Sequence, residues 1–123
     1  MIKRVKMSNE LYPVEAFFNR LSHEQFMIAI KNFSNGKGYN PEDMTCFFPS
    51  DIVEDEGGEI KDYKYIEFWE YAGNQEVRLN FRDFISALTE ASDSEIKLNP
   101  SVSDEIEELI SKAKDYLVVL YGQ

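Results

Sequence analysis

The sequence predicts an α+β fold: a single domain with a small, mainly antiparallel sheet packed with N-terminal and C-terminal helices. Three observations carry this. Apolar residues recur at helical spacing before residue 35 and again after residue 80. Between them lie short runs rich in aromatic and branched residues, which suit a pleated surface. The chain has 123 residues, the size of one domain rather than two, and consecutive strands with short connections pair antiparallel.

The elements follow in order. Residues 1–11 precede the first periodic segment and are expected to be a flexible or edge segment within the single domain 1–123. Pro13 opens the first helix, because its missing N–H would be unpaired there anyway, and Val14, Phe17, Phe18 and Leu21 give it an apolar stripe. Ser22 and Gln25 have the spacing of a capping box, so residues 14–34 read as two helices rather than one bent helix. Phe26, Met27, Ile30 and Phe33 form the second stripe, and Asn35-Gly36 stops it. Thr45 to Phe48 is an apolar run that Pro49 ends, read as a short strand. Asp51 to Asp62 is acidic and contains Gly57-Gly58, which predicts a loop or the flank of a strand. Tyr63 to Tyr71 reads as a strand, Ala72 to Gln75 as a turn, and Val77, Leu79 and Phe81 alternate with polar residues in a half-buried strand. Asn80 can cap a helix carrying Phe81, Phe84, Ile85 and Leu88. Ala91 to Asn99 reads as a loop. Pro100 and Ser101 open the last helix, whose first turn holds Asp104 and Glu105 where the helix dipole favours anions. Its stripe runs from Val102 through Ile106, Ile110, Ala113 and Leu117 to Leu120, and Gly122 ends it.

The charge is lopsided. Thirteen Lys and Arg stand against 23 Asp and Glu, a net charge of −10. Phosphate binding needs a basic face, so nucleic acid is not an expected partner, and neither is an anionic membrane surface. If the acidity is functional, the partner is basic. One cysteine, Cys46, and one histidine, His23, exclude a disulfide framework and the common zinc motifs. No cofactor and no metal is expected. No run is long and apolar enough for a membrane span, and the basic start Met1 to Lys6 is not followed by the apolar core of a signal peptide. With its single thiol, the chain is expected in the cytoplasm.

Two clusters could carry a function. The first is Asp51, Glu54, Asp55, Glu56, Glu59 and Asp62, opposed only by Lys61. Such carboxylates repel one another and must stay solvated or meet cations. They form either a solvated loop or a docking surface for a basic protein; the residue order of an EF-hand calcium loop is absent. The second is the aromatic run. Alternation places Tyr63, Tyr65, Glu67, Trp69 and Tyr71 on one face and Ile66 and Phe68 on the other. The strand is either buried on both faces or keeps one face open, with Tyr and Trp as anchors for a partner. Ser34 to Asn40 carries Gly36, Lys37 and Gly38 but lacks the phosphate-loop pattern and follows a helix, so it reads as a helix stop and turn. His23 reads as first-turn surface beside a cap, and Cys46, in an apolar run, as buried and inert. No carboxylate is lone and apolar-flanked, as a raised pKa for acid–base catalysis would require.

Three stretches, Tyr12-Pro13-Val14-Glu15-Ala16-Phe17-Phe18, Phe33-Ser34-Asn35-Gly36-Lys37-Gly38-Tyr39 and Cys46-Phe47-Phe48-Pro49-Ser50-Asp51, resemble the CdiI-type immunity proteins of contact-dependent growth inhibition systems. The resemblance is closest to the group that neutralises ribonuclease toxins, and it covers roughly residues 12–120. It implies a small cytoplasmic protein, not an enzyme, that binds the C-terminal ribonuclease toxin domain of a cognate CdiA-type exoprotein. It supplies no list of binding residues, because such families diverge at the contact surface.

A ribonuclease must attract phosphate, so its cleft is basic, and carboxylates can imitate the phosphate field. The expected partner-binding residues are therefore Asp51, Glu54, Asp55, Glu56, Glu59 and Asp62, then Glu67, Trp69 and Glu70, with Tyr63 and Tyr65 as further anchors. Nothing in the sequence requires more than a monomer binding one-to-one. The rival readings are a small carboxylate-dependent hydrolase, which needs a pocket with two converging carboxylates, and an acidic adaptor without a toxin partner.

Overall fold

A computed structural model describes residues 2–122. Five helices and three strands run in the order α1 (Tyr12–Arg20), α2 (His23–Ser34), β1 (Met44–Phe47), α3 (Pro49–Glu56), β2 (Tyr65–Glu70), β3 (Gln75–Asn80), α4 (Phe81–Leu98) and α5 (Ser103–Tyr121). Short 3-10 turns at Asn9–Leu11, Ile60–Asp62 and Pro100–Val102 lead into α1, β2 and α5. The sheet has the order β1-β2-β3 and is antiparallel throughout. The fold class is the α+β arrangement that the sequence predicts.

One face of the sheet is covered and the other is open. Helices α1 and α4 pack on the covered face, and α5 lies against α2 and α4. Ile66, Phe68 and Leu79 point into the core, where Phe17, Phe33, Phe48, Phe68 and Phe84 meet with ring centres 5.1 to 6.3 Å apart, half of the pairs edge to face. The split between α1 and α2 falls where the capping box requires it: Ser22 Oγ accepts from the Gln25 N–H, and the Gln25 side chain accepts from the Ser22 N–H. Gly36, at φ +74°, closes α2 beneath the ring of Tyr116. A Cβ on Gly38 would overlap the Cys46 carbonyl oxygen, so β1 and the Gly38 turn approach at a distance only glycine permits.

Three expectations are corrected. Asp51 to Glu56 is helix, and only residues 57–62, which lead into β2, keep the expected character of a loop flanking a strand. Pro49 ends β1 and also starts α3 as its first residue, and Gly57 at φ +82° ends that helix. Ala91 to Asn99 is not a loop, because α4 continues to Leu98 with Ala91, Ser92 and Glu95 buried. The strand expected over Tyr63 to Tyr71 is shorter, and it is not buried twice: alternate residues Ile66, Phe68 and Glu70 are buried while Tyr65 and Glu67 are half-buried and Trp69 is exposed.

Residues 2–8 form no strand of the sheet, and the 3-10 turn at Asn9–Leu11 carries the chain on into α1. The Asn19 side chain accepts from the N–H groups of Arg4 and Val5 and donates to the Val5 carbonyl. Arg4 is fully buried. Its Nε donates to Glu95 at 2.7 Å, its Nη1 donates to the carbonyls of Phe18 and Leu21, and it lies against the Phe26 ring.

Candidate functional site

The open face of the sheet is built by register. Tyr65, Glu67 and Trp69 on β2 stand opposite Asn80, Arg78 and Glu76 on β3. On the other side Trp69 faces Thr45 and Glu67 faces Phe47 on β1. Since side chains alternate between faces, these residues share the surface that no helix covers. It has an aromatic floor. Trp69 is 37% and Tyr71 48% exposed, and their rings meet edge to face at 5.5 Å. The Tyr71 hydroxyl is hydrogen-bonded to the Thr45 hydroxyl, which holds the pair in place. Tyr63 and Tyr65 form a second edge-to-face pair at 6.2 Å, and the Tyr63 hydroxyl donates to the Gly57 carbonyl. That bond ties the aromatic floor to the end of α3.

The acidic residues form the rim. Glu54, Asp55 and Glu56 occupy the exposed last turn of α3, which has no basic residue. Glu59 and Asp62 are exposed on the turn that follows, where Asp62 accepts from the Glu59 N–H and Lys61 pairs with Glu59 at 3.2 Å. The two clusters of the sequence meet at Glu67. Burial, then the charge of Glu76, with Glu56 and Asp55 behind it, holds the Glu67 carboxyl above its ordinary value; Arg78 opposes this shift. Carboxylates at the C-terminal end of a helix oppose its dipole, so the last turn of α3 is not arranged for the stability of the helix.

Two expected site residues have structural work instead. Asp51 accepts from the N–H groups of Phe48 and Gly38 at 2.8 and 2.7 Å and so locks the β1–α3 junction to the Gly38 turn. Glu70 is 2% exposed and lies on the covered face, away from Glu67 and Trp69. It accepts from the Gly73 N–H and from Arg20. His23 is not free surface: its Nδ1 is 2.7 Å from Glu95 Oε2, and Asn99 donates to the same oxygen. Burial pushes the Glu95 carboxyl up, but the hydrogen bonds and charges of His23 and Arg4 outweigh it, and the group lies below its ordinary value. Cys46 is fully buried, and burial with the nearby charge of Asp51 pushes its thiol well up, so it stays a neutral thiol. Sequence reasoning missed Phe47, Glu76 and Arg78 on the open face; the alternation of Val77 and Leu79 with Glu76, Arg78 and Asn80 was the available signal.

A groove between α4 and α5, lined by Phe81, Ile85, Leu117, Val118 and Tyr121 together with Asn80 and Arg82, holds no carboxylate. A second groove between the same helices has Asp93 of α4 and Glu107 and Lys114 of α5 in its lining. Among the described residues, no three His, Cys, Asp or Glu side chains are grouped to hold a metal ion, and no helix is long and apolar enough to cross a membrane. The open sheet face suits contact with a large, flat partner better than enclosure of a small molecule. No curated protein is similar enough to count as a relative. The sequence profile of the CDI immunity protein family matches residues 10–110.

Proposed function

The chain belongs to the CDI immunity protein family, and on that premise we propose that it neutralises the C-terminal ribonuclease toxin domain of a cognate CdiA-type exoprotein in the cytoplasm of the cell that makes both. It does so as a binding protein, not as an enzyme, by laying its open sheet face on the basic cleft that binds RNA. The observation that carries this reading is the union of two features on one surface: an aromatic floor of half-buried Tyr65 with exposed Trp69 and Tyr71, and a rim of carboxylates from α3 and the turn after it.

The two parts have different work. Charges at the rim steer the encounter and raise the association rate, up to about 10⁸–10⁹ M⁻¹s⁻¹ at low salt. An inhibitor that must bind before RNA is cut needs that speed. The aromatic residues hold the complex once formed, because buried Trp and Tyr anchors dominate interface energies. Asp51 and Glu70 drop out of the docking set, while Phe47, Tyr71 and Glu76 join it.

Calorimetric titration against the cognate toxin domain at two salt concentrations, with RNA cleavage followed alongside, tests the reading. One-to-one binding that weakens with salt, together with loss of cleavage, is the expected result. Absence of binding, or binding that leaves cleavage intact, overturns it.

A further inference from the structure

The docking face already holds one cation of its own. Arg78 stands directly across from Glu67 in the β2–β3 register. Its guanidinium carbon lies 4.6 Å from the centre of the Tyr65 ring, and its Nε is 3.7 Å from Glu67 Oε2. That separation is too long for a hydrogen bond: the guanidinium is stacked on the ring but not docked on the carboxylate. The Arg78 side chain is 54% exposed and Glu67 only 13%, so the cation lies outermost and the carboxylate beneath it. Glu76 from β3 and Asp55 and Glu56 from α3 add their charge at Glu67, where Arg78 opposes them.

Resting on the immunity reading above, we infer that Tyr65 and Glu67 form a seat for an arginine side chain of the toxin, and that Arg78 is a resident stand-in which the incoming guanidinium displaces. Carboxylates alone would be solvated charge. What marks the seat is a guanidinium lying on the aromatic wall and ion-paired with its carboxylate at 3.7 Å, beyond hydrogen-bond reach. An incoming arginine can stack on Tyr65 and fork onto both oxygens of Glu67, whereas the compact ammonium of lysine cannot do both. Arg78 keeps the seat from standing as an uncompensated half-buried charge in the free protein, and its loose fit keeps it displaceable.

A proton is tied to the exchange. Glu67 is held above its ordinary value by burial and by Glu76, Glu56 and Asp55, with Arg78 opposing. A docked guanidinium favours the charged form. Docking therefore releases a proton when the pH is near or below that raised value, and it weakens as the pH falls through it.

The test is calorimetric titration of the cognate toxin domain with the wild type, Glu67→Gln and Arg78→Ala, at pH 7.5 and 5.5, in buffers of different ionisation enthalpy. Glu67→Gln should bind about tenfold more weakly while melting no lower than the wild type, since it removes charge repulsion. Arg78→Ala should bind roughly threefold more tightly or better, because no resident cation has to leave. Proton release on binding should grow for the wild type as the pH is lowered from 7.5 to 5.5, and should grow less for Glu67→Gln. Unchanged affinity in Glu67→Gln overturns the seat, and affinity in Arg78→Ala at or below that of the wild type overturns the displacement. If the wild type binds no toxin, the immunity reading fails by itself. A hexa-arginine peptide then tests the seat: it should move the Arg78 Nε–H resonance in the wild type but not in Glu67→Gln, and an unmoved resonance in both overturns the inference.

Discussion

Neighbouring residues on β2 have opposite duties, and point substitutions should separate them. Trp69 is on the open face and Glu70 on the covered one. Trp69→Ala removes an exposed ring, so folding stability should change by less than about 1 kcal/mol, while toxin affinity should fall by about 2 kcal/mol or more. Glu70→Ala leaves the Gly73 N–H without its acceptor and takes from the Arg20 guanidinium one of its three, the others being Asp43 and the Tyr12 hydroxyl. It should cost about 1–3 kcal/mol of stability and leave toxin affinity near that of the wild type. Chemical denaturation and calorimetry read the two effects apart. Part of this division was legible in the sequence: strict alternation put Glu67 and Trp69 on one face with Tyr65. Glu70 joined the expected site by proximity along the chain, although the same alternation sends it to the other side.

At the scale of elements, α3 and α4 show why sequence reading stopped where it did. For α3 the signals were present: Pro49 as a first helical residue, Asp51 two residues later, and Gly57 as the stop. The density of carboxylates outweighed them, because charge runs ordinarily mark solvated loops. For α4 the apolar stripe fails after Leu88, since the buried positions become Ala91, Ser92 and Glu95. A buried glutamate breaks the periodicity on which the reading depends; its partner, Arg4, lies 91 residues away. The absence of Gly and Pro from Phe81 to Asn99 was the remaining clue. The helical state of the acidic segment has a measurable consequence. Reversing Glu54, Asp55 and Glu56 to Lys puts cations where the dipole of α3 prefers them. The triple variant should melt at or slightly above the wild-type temperature, yet associate with the toxin at least tenfold more slowly at low salt and with a flatter salt dependence. Stopped-flow association at several ionic strengths checks both points.

Across the whole molecule, the sequence revealed the fold class and the antiparallel pairing of β2 with β3. It could not reveal that α3 brings its carboxylates to the aromatic face, because that depends on Asp51 joining Gly38 to Phe48 and on the Tyr63 hydroxyl reaching Gly57. The pH dependence of stability also belongs to this scale. Glu95 lies below its ordinary value in the folded chain, so its contribution is complete above the usual carboxylate range and is lost as the pH falls through the lowered value. Arg4→Ala, which strips Glu95 of its buried cation, should cost about 3–5 kcal/mol at neutral pH, and the deficit relative to the wild type should shrink in acid. Urea unfolding at pH 7 and pH 3 measures both.

The Arg4–Glu95 pair also sets a clock. The chain is made from its amino end, at roughly 5–20 residues per second, so the arginine emerges on the order of 5 to 20 s before the glutamate that will neutralise it. Until then the amino-terminal strap lacks its charged anchor, although the Phe18 and Leu21 carbonyls are already at hand to receive the guanidinium. The strap is therefore completed late in each molecule's synthesis, only after α4 has emerged.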